Sequence, residues 1–166
     1  AQLFESRVGP GELAIPAIRG VGGAVMHFID QSSALSRLWE TEFLPEDDEV
    51  AVADSRLVGI DHIGQTMPYD EMLSWLLFYT TIFQIEKAPI VDIIDPSGIV
   101  RSRAIENADG SLRLTLNGAE NARTFAGHFI AESFGSAVQH LAFSSSDIFA
   151  TAAALAGQYL RQVVLE

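Results

Sequence analysis

Two histidines occupy the same point of two similar units, and this repeat constrains the fold more than any other feature of the chain. His62 lies in Ile60-Asp61-His62-Ile63-Gly64 and His140 in Val138-Gln139-His140-Leu141-Ala142. Each run is short and apolar, and each leads into an amphipathic helical pattern. If two copies of a strand-then-helix unit pair, their imidazoles meet, and neutral imidazole is the commonest protein metal ligand. One such histidine alone would read as a hydrogen-bonded core residue. Repetition favours a metal site at His62 and His140.

Composition narrows the setting. The 166 residues, 48% hydrophobic, suffice for one domain or a large piece of one. A net charge of −12, with only 10 Lys and Arg, argues against nucleic acid and against anionic membranes as partners. Cysteine is absent, which removes disulfides, thiolate metal sites and cysteine nucleophiles, and suits a cytoplasmic enzyme. The longest apolar stretch, 72–83, contains Ser74, Thr80 and Thr81 and is too short to span a bilayer. The first residue is Ala1, so the chain is expected to be trimmed or cut from something longer.

Along the chain, residues 12–16 and 24–30 read as two strands joined through Arg19-Gly20, closing a preceding module (1–30). Gly20-x-Gly22-Gly23 lacks the Gly-Lys-Ser/Thr ending of a phosphate loop and runs into a strand, so it reads as a turn. Residues 31–56, with Glu46-Asp47-Asp48-Glu49, read as a solvated acidic linker. A strand at 57–66 follows, with Val58, Ile60 and His62 on one face by alternation. The spacing predicts a helix over about 70–86, with Met72, Leu73, Leu76, Leu77, Tyr79 and Phe83 as its buried stripe. Strands follow near 90–94, 99–106 and 112–117. A helix over about 120–134 is expected to bury Phe125, Phe129, Ile130 and Phe134. A strand at 137–143 carries His140, and Ser144-Ser145-Ser146-Asp147 caps a helix through about 161. The fold class is α+β: a βαβββ module (57–118), then a connecting helix and the βα start of a next module (119–166). Paired modules of this kind form a half-barrel cup around a metal.

Asp61-His62, Trp75-x-x-Phe78-Tyr79, Ser102-Arg103-Ala104, Asp109-Gly110, Leu116-Asn117 and Gln139-His140-Leu141-Ala142 occur in an order and spacing that resembles the vicinal-oxygen-chelate superfamily. Within it they look like the 4-hydroxyphenylpyruvate dioxygenases. Ile18-Arg19-Gly20-Val21-Gly22-Gly23 with Phe28-Ile29-Asp30 resembles the segment closing that family's N-terminal domain. The resemblance covers nearly the whole chain. It implies a non-haem Fe(II) site, or another divalent ion such as Mn, Co, Mg or Zn, with His62 and His140 as ligands. It implies dioxygen as co-substrate, a small-molecule 2-oxo acid partner, and substrate contacts from Ser102, Asn117 and Gln139. The family's third ligand, a glutamate on the last strand of the final module, is expected beyond Glu166. A homodimer is expected.

Two departures bear on substrate. Gly118 stands where the family has a glutamate, and Phe125 where it has a pocket glutamine. A pocket that loses an amide loses a specific hydrogen bond, so a substrate other than 4-hydroxyphenylpyruvate is expected. Ser97-Gly98-Ile99-Val100-Arg101-Ser102-Arg103, Asn121 to Phe129 and Ser146-Asp147-Ile148-Phe149 are more similar to a bacterial two-domain family. There a barrel with 3-dehydroshikimate dehydratase activity precedes a hydroxyphenylpyruvate-dioxygenase-like domain, so a fused N-terminal domain is expected. Two functions follow: a dioxygenase-like domain for an aromatic or small 2-oxo acid, or a non-catalytic or regulatory metal-binding domain attached to a dehydratase. His27 reads as structural packing, and His128 as a residue at a helix surface edge.

Overall fold

The computed structural model describes residues 1–44 and 55–156. The acidic run at 46–49, the end of the last expected helix and Glu166 lie outside the described residues. Two sheets carry the chain. A small one pairs β1 (Leu3–Phe4), β2 (Ala17–Arg19) and β3 (Val25–His27) in that order, antiparallel. The larger one holds β4 (Leu57–Pro68), β5 (Glu86–Lys87), β6 (Val91–Asp95), β7 (Gly98–Glu106), β8 (Arg113–Ala119) and β9 (Ala137–Ser145). Its order is β5-β7-β8-β4-β9, with β6 on the free stretch of β7. Among the described residues only β4 and β8 run parallel.

The N-terminal strands differ from expectation. The strand expected at 12–16 is absent and its place beside β3 is taken by β2 (Ala17–Arg19); Pro16 has no N–H to give a ladder, and its carbonyl accepts from Phe28 N at 2.8 Å. Gly20-Val21-Gly22-Gly23 is the expected turn. Gly22 has φ +62°, and a Cβ there would collide with the Ser136 carbonyl, so the turn docks tightly beside the start of β9. Residues 31–44 are also more than a solvated linker. A 3₁₀ turn at Ala34–Arg37 and a short α1 (Leu38–Glu42) bury Leu35 and Leu38.

A helix covers one face of the larger sheet. α2 (Tyr69–Ile82) starts after Pro68, which ends the strand, and Asp70 and Glu71 complement its N-terminal dipole. Met72, Leu76 and Tyr79 are buried with Met67, Ile105, Leu114, Leu116 and Val21, and Phe83 packs against this core. Leu73 and Leu77, expected in the stripe, are 73% and 66% exposed. A single helix on a sheet buries a narrow face, and the neighbouring i, i+4 row points outward. α3 (Phe125–Glu132) begins later than expected. Asn121 caps a turn, accepting from Arg123 N at 2.9 Å, and Thr124 is the N-cap, accepting from Gly127 N at 3.0 Å. Ala126 and Gly127 are buried there, whereas Phe125 and Phe134 are exposed; a Cβ at Gly127 would strike Asn121 and Ala122. α4 (Ile148–Ala156) is capped by Asp147, which accepts from Ala150 N at 3.0 Å.

Strand alternation separates the two faces of the larger sheet. Ile63 and Met67 of β4, with Leu114 and Leu116 of β8, face α2. His62 and Thr66 of β4, with Thr115 and Asn117 of β8, face the opposite concavity. The antiparallel β4–β9 pair joins the βαβββ unit to the strand of the next βα unit.

Candidate metal and ligand site

The β4–β9 ladder contains two bulges that matter for the site. Ile60 pairs with Phe143 and His62 with Ala142, so Asp61 is an extra residue on β4. Gly64 pairs with His140 and Gln65 with Val138, so Gln139 is an extra residue on β9. Each bulge immediately precedes a histidine, and bulges re-aim side chains. Simple alternation of Val58, Ile60 and His62 is therefore interrupted.

The two rings meet edge to face, with centroids 5.5 Å apart and planes at 83°. Gly64 makes this possible, since a Cβ there would fall inside the His140 ring. Each bulge residue also addresses the Nδ1 of its histidine. Asp61 Oδ2 lies 2.7 Å from His62 Nδ1, and Gln139 Oε1 lies 3.3 Å from His140 Nδ1. An ionised carboxylate or an amide oxygen only accepts, so these contacts place a proton on each Nδ1, and a ring neutral in that tautomer offers its Nε2 lone pair to a metal. Asp61 is held in turn by Arg113 at 3.0 Å, and Arg113 by Glu106 at 2.7 Å. The His62 contact, with Arg113 assisting, holds the Asp61 carboxyl below its ordinary range. Partial burial, then the nearby His62, push His140 below the usual histidine value, which favours the neutral form a metal needs.

The histidines open on a concavity of about 350 Å³. Ser102 and Asn117 line it, directly opposite one another on β7 and β8, and Ser102 Oγ donates to Asn117 Oδ1 at 2.7 Å. Gln139 lines it too, its Oε1 accepting from Thr66 Oγ1 at 3.0 Å. With both amide oxygens engaged, Asn117 and Gln139 present their N–H groups as donors. The other end is apolar, formed by Ile93, Ile94, Val100 and Phe125. Phe125 is fixed there by its N–H, which donates to Asp95 Oδ2 at 2.9 Å. The structure thus brings His62, His140, Ser102, Asn117, Gln139 and Phe125 to one cavity. Gly118 is elsewhere: it faces α2, where a Cβ would lie 2.8 Å from Tyr69, so its difference from a glutamate does not reach this cavity. His27 is elsewhere too, lining an apolar concavity with Val21, Ile63, Tyr79 and Phe83 on the other side of the sheet. His128 is exposed on α3.

Among the described residues no three His, Cys, Asp or Glu side chains gather to hold a metal. Two imidazoles, each with Nδ1 anchored, still form a donor pair suited to a first-row divalent ion. Sequence reasoning missed Asp61 and Arg113 as supports. The adjacency of Asp61 to His62 was visible; Arg113 was not, because its approach depends on the parallel β4–β8 register.

Comparisons place the chain among known proteins. No protein-family model matches it. It is 37% identical to a 3-dehydroshikimate dehydratase of Pseudomonas putida over 99% of its own length, and spans 26% of that protein. It is 31% identical to a 4-hydroxyphenylpyruvate dioxygenase of a Pseudomonas species, over 91% of this chain and 43% of the relative. A solved xylose isomerase-like TIM barrel/4-hydroxyphenylpyruvate dioxygenase fusion protein superposes with a TM-score of 0.65 at 35% identity, covering 94% of this chain and 24% of that one. A methylmalonyl-CoA epimerase of Streptomyces coelicolor shares the fold at 25% identity and a TM-score of 0.53, over 66% and 78% of the two chains. The chain therefore spans about a quarter of the dehydratase and less than half of the dioxygenase. Among the described residues no helix is long and apolar enough to cross a membrane.

Proposed function

Because the chain belongs to the 4-hydroxyphenylpyruvate dioxygenase-like domains of the vicinal-oxygen-chelate superfamily, we propose that it binds a divalent metal, Fe(II) first, through His62 and His140 and acts with it on a 2-oxo acid. The observation that carries this reading is the meeting of the two rings over Gly64, each with its Nδ1 tied by the residue before it. A ferrous ion held there by His62 and His140 would supply positive charge to a bound 2-oxo acid and would activate dioxygen, and a further carboxylate ligand would come from outside the described residues.

The chain's own residues do the rest. Asp61, anchored by Arg113, keeps the His62 ring oriented. Asn117, whose rotamer Ser102 holds, and Gln139, whose rotamer Thr66 holds, direct neutral donors at the acid's oxygens. Neutral donors recognise carboxylate and keto oxygens without adding charge beside a cation. Ile93, Ile94, Val100 and Phe125 enclose the hydrocarbon end of the acid and exclude water from it. This division suits a substrate with an apolar tail. The test is oxygen uptake by the iron-loaded full-length protein with a panel of 2-oxo acids. Uptake that disappears in His62→Ala and His140→Ala supports the reading, and silence with every acid sinks it.

A second reading is favoured by the likeness to the dehydratase and by Phe125, which stands where the dioxygenases carry a pocket glutamine. In it the domain is a non-catalytic metal-binding companion of a dehydratase barrel. It would bind metal and an aromatic acid without consuming oxygen, and dehydratase rates would respond to that acid.

A further inference from the structure

Thr115 Oγ1 is buried and has no hydrogen-bond partner among the described residues. It lines the same cavity as the two histidines. Its strand neighbours in register are Ala104 on β7 and Gly64 on β4, and Gly64 in turn lies opposite His140 on β9. The row across the floor therefore reads Ala104, Thr115, Gly64, His140. Small residues flank the hydroxyl on both sides, and the histidine ring lies over the glycine beside it. One row further along are Ser102 and Asn117, whose hydroxyl and amide oxygen satisfy each other. Thr115 has no such companion.

An unsatisfied buried hydroxyl is costly, and a bound molecule that accepts from it removes that cost. We infer that the Thr115 hydroxyl is a specificity-determining contact that donates to an oxygen of the acid head group bound beside His140. The contact rests on the 2-oxo-acid reading of the site. A head group there is held by a hydroxyl from the floor and by amide donors from Asn117 and Gln139. Acids with an oxygen at the position facing Thr115 are selected over analogues that lack it, because the hydroxyl would then stay unpaired.

Thr115→Val keeps the shape and removes the hydroxyl, whereas Thr115→Ser keeps the hydroxyl. Phenylpyruvate is titrated calorimetrically into the Mn(II)-loaded parent and both variants, and thermal unfolding is recorded without ligand. Binding should weaken about tenfold in Thr115→Val and stay within about threefold of the parent in Thr115→Ser. Thr115→Val should unfold at or above the parent temperature, since no protein partner is lost. Equal affinity in Thr115→Val and parent would overturn the contact while leaving the site reading intact. A fall of the Thr115→Val midpoint by several degrees would overturn it too, by showing that the hydroxyl serves the fold. A parent that binds no phenylpyruvate but retains Mn(II) binding would remove the 2-oxo-acid reading, and the contact with it.

Discussion

Gly64 lies directly across the β4–β9 pair from His140, and the imidazole occupies the space that a side chain at position 64 would fill. The position of one of the two proposed ligand rings is thus set by the absence of a side chain on the neighbouring strand.

Gly64→Ala should displace the His140 ring and weaken Mn(II) binding by about tenfold or more, since a misplaced ligand costs affinity as a missing support does. Calorimetric titration measures it. Parent-like affinity would show that the ring tolerates another seat.

Asp61→Asn should leave the fold intact and weaken Mn(II) binding by about 10- to 100-fold, the range for a group that orients a ligating histidine. The carboxylate holds the Nδ1 proton of His62, and its pairing with Arg113 keeps it in place. Unchanged affinity, measured with circular dichroism to confirm folding, would assign the Asp61–Arg113–Glu106 chain to strand pairing alone.

Phe125→Gln should turn the apolar end of the cavity polar. Binding of 4-hydroxyphenylpyruvate relative to phenylpyruvate should rise by about tenfold or more, because a pocket amide rewards a ligand hydroxyl. Competition between the two acids on Mn(II)-loaded protein gives the ratio directly. No change in the ratio would place the ligand's tail away from α3.

Asp30 offers a pH signature away from the candidate site. Its carboxylate accepts from the Ser33 and Ser32 hydroxyls and backbone N–H groups, with Ser33 Oγ at 2.7 Å, and its pKa falls from 3.8 to about 2. A depressed carboxyl stabilises the fold fully above its unfolded pKa, and that contribution is lost as pH falls through the folded value. The difference in urea midpoint between parent and Asp30→Asn should be constant at neutral pH and shrink between about pH 4 and pH 2. A difference that persists unchanged to pH 2 would contradict the assignment.

Much of the site's inventory is legible in the chain itself. The strand-then-helix repeat carries a histidine twice, and alternation puts Val100, Ser102 and Ala104 on one face of β7, with Thr115 and Asn117 sharing a face of β8. Local periodicity suffices there because side-chain direction follows from a residue's own strand. Helix limits were less legible. Asn121 and Thr124 hold residues 121–124 in a capped turn, and only packing on the sheet decides that Leu73 and Leu77 face outward.

What the sequence by itself determined is which residue types recur where: two imidazoles in matched strands, an alternating β8, a helix rich enough in apolar residues to cover a sheet. Each depends on near neighbours. What only the tertiary structure decided is how strands meet. The bulges at Asp61 and Gln139, the seat of His140 over Gly64, the reach of Arg113 to Asp61 and the unpartnered Thr115 hydroxyl all depend on register between segments distant in sequence. Register is set by the summed packing of both sheet faces, and a one-residue slip would turn these side chains to the other face.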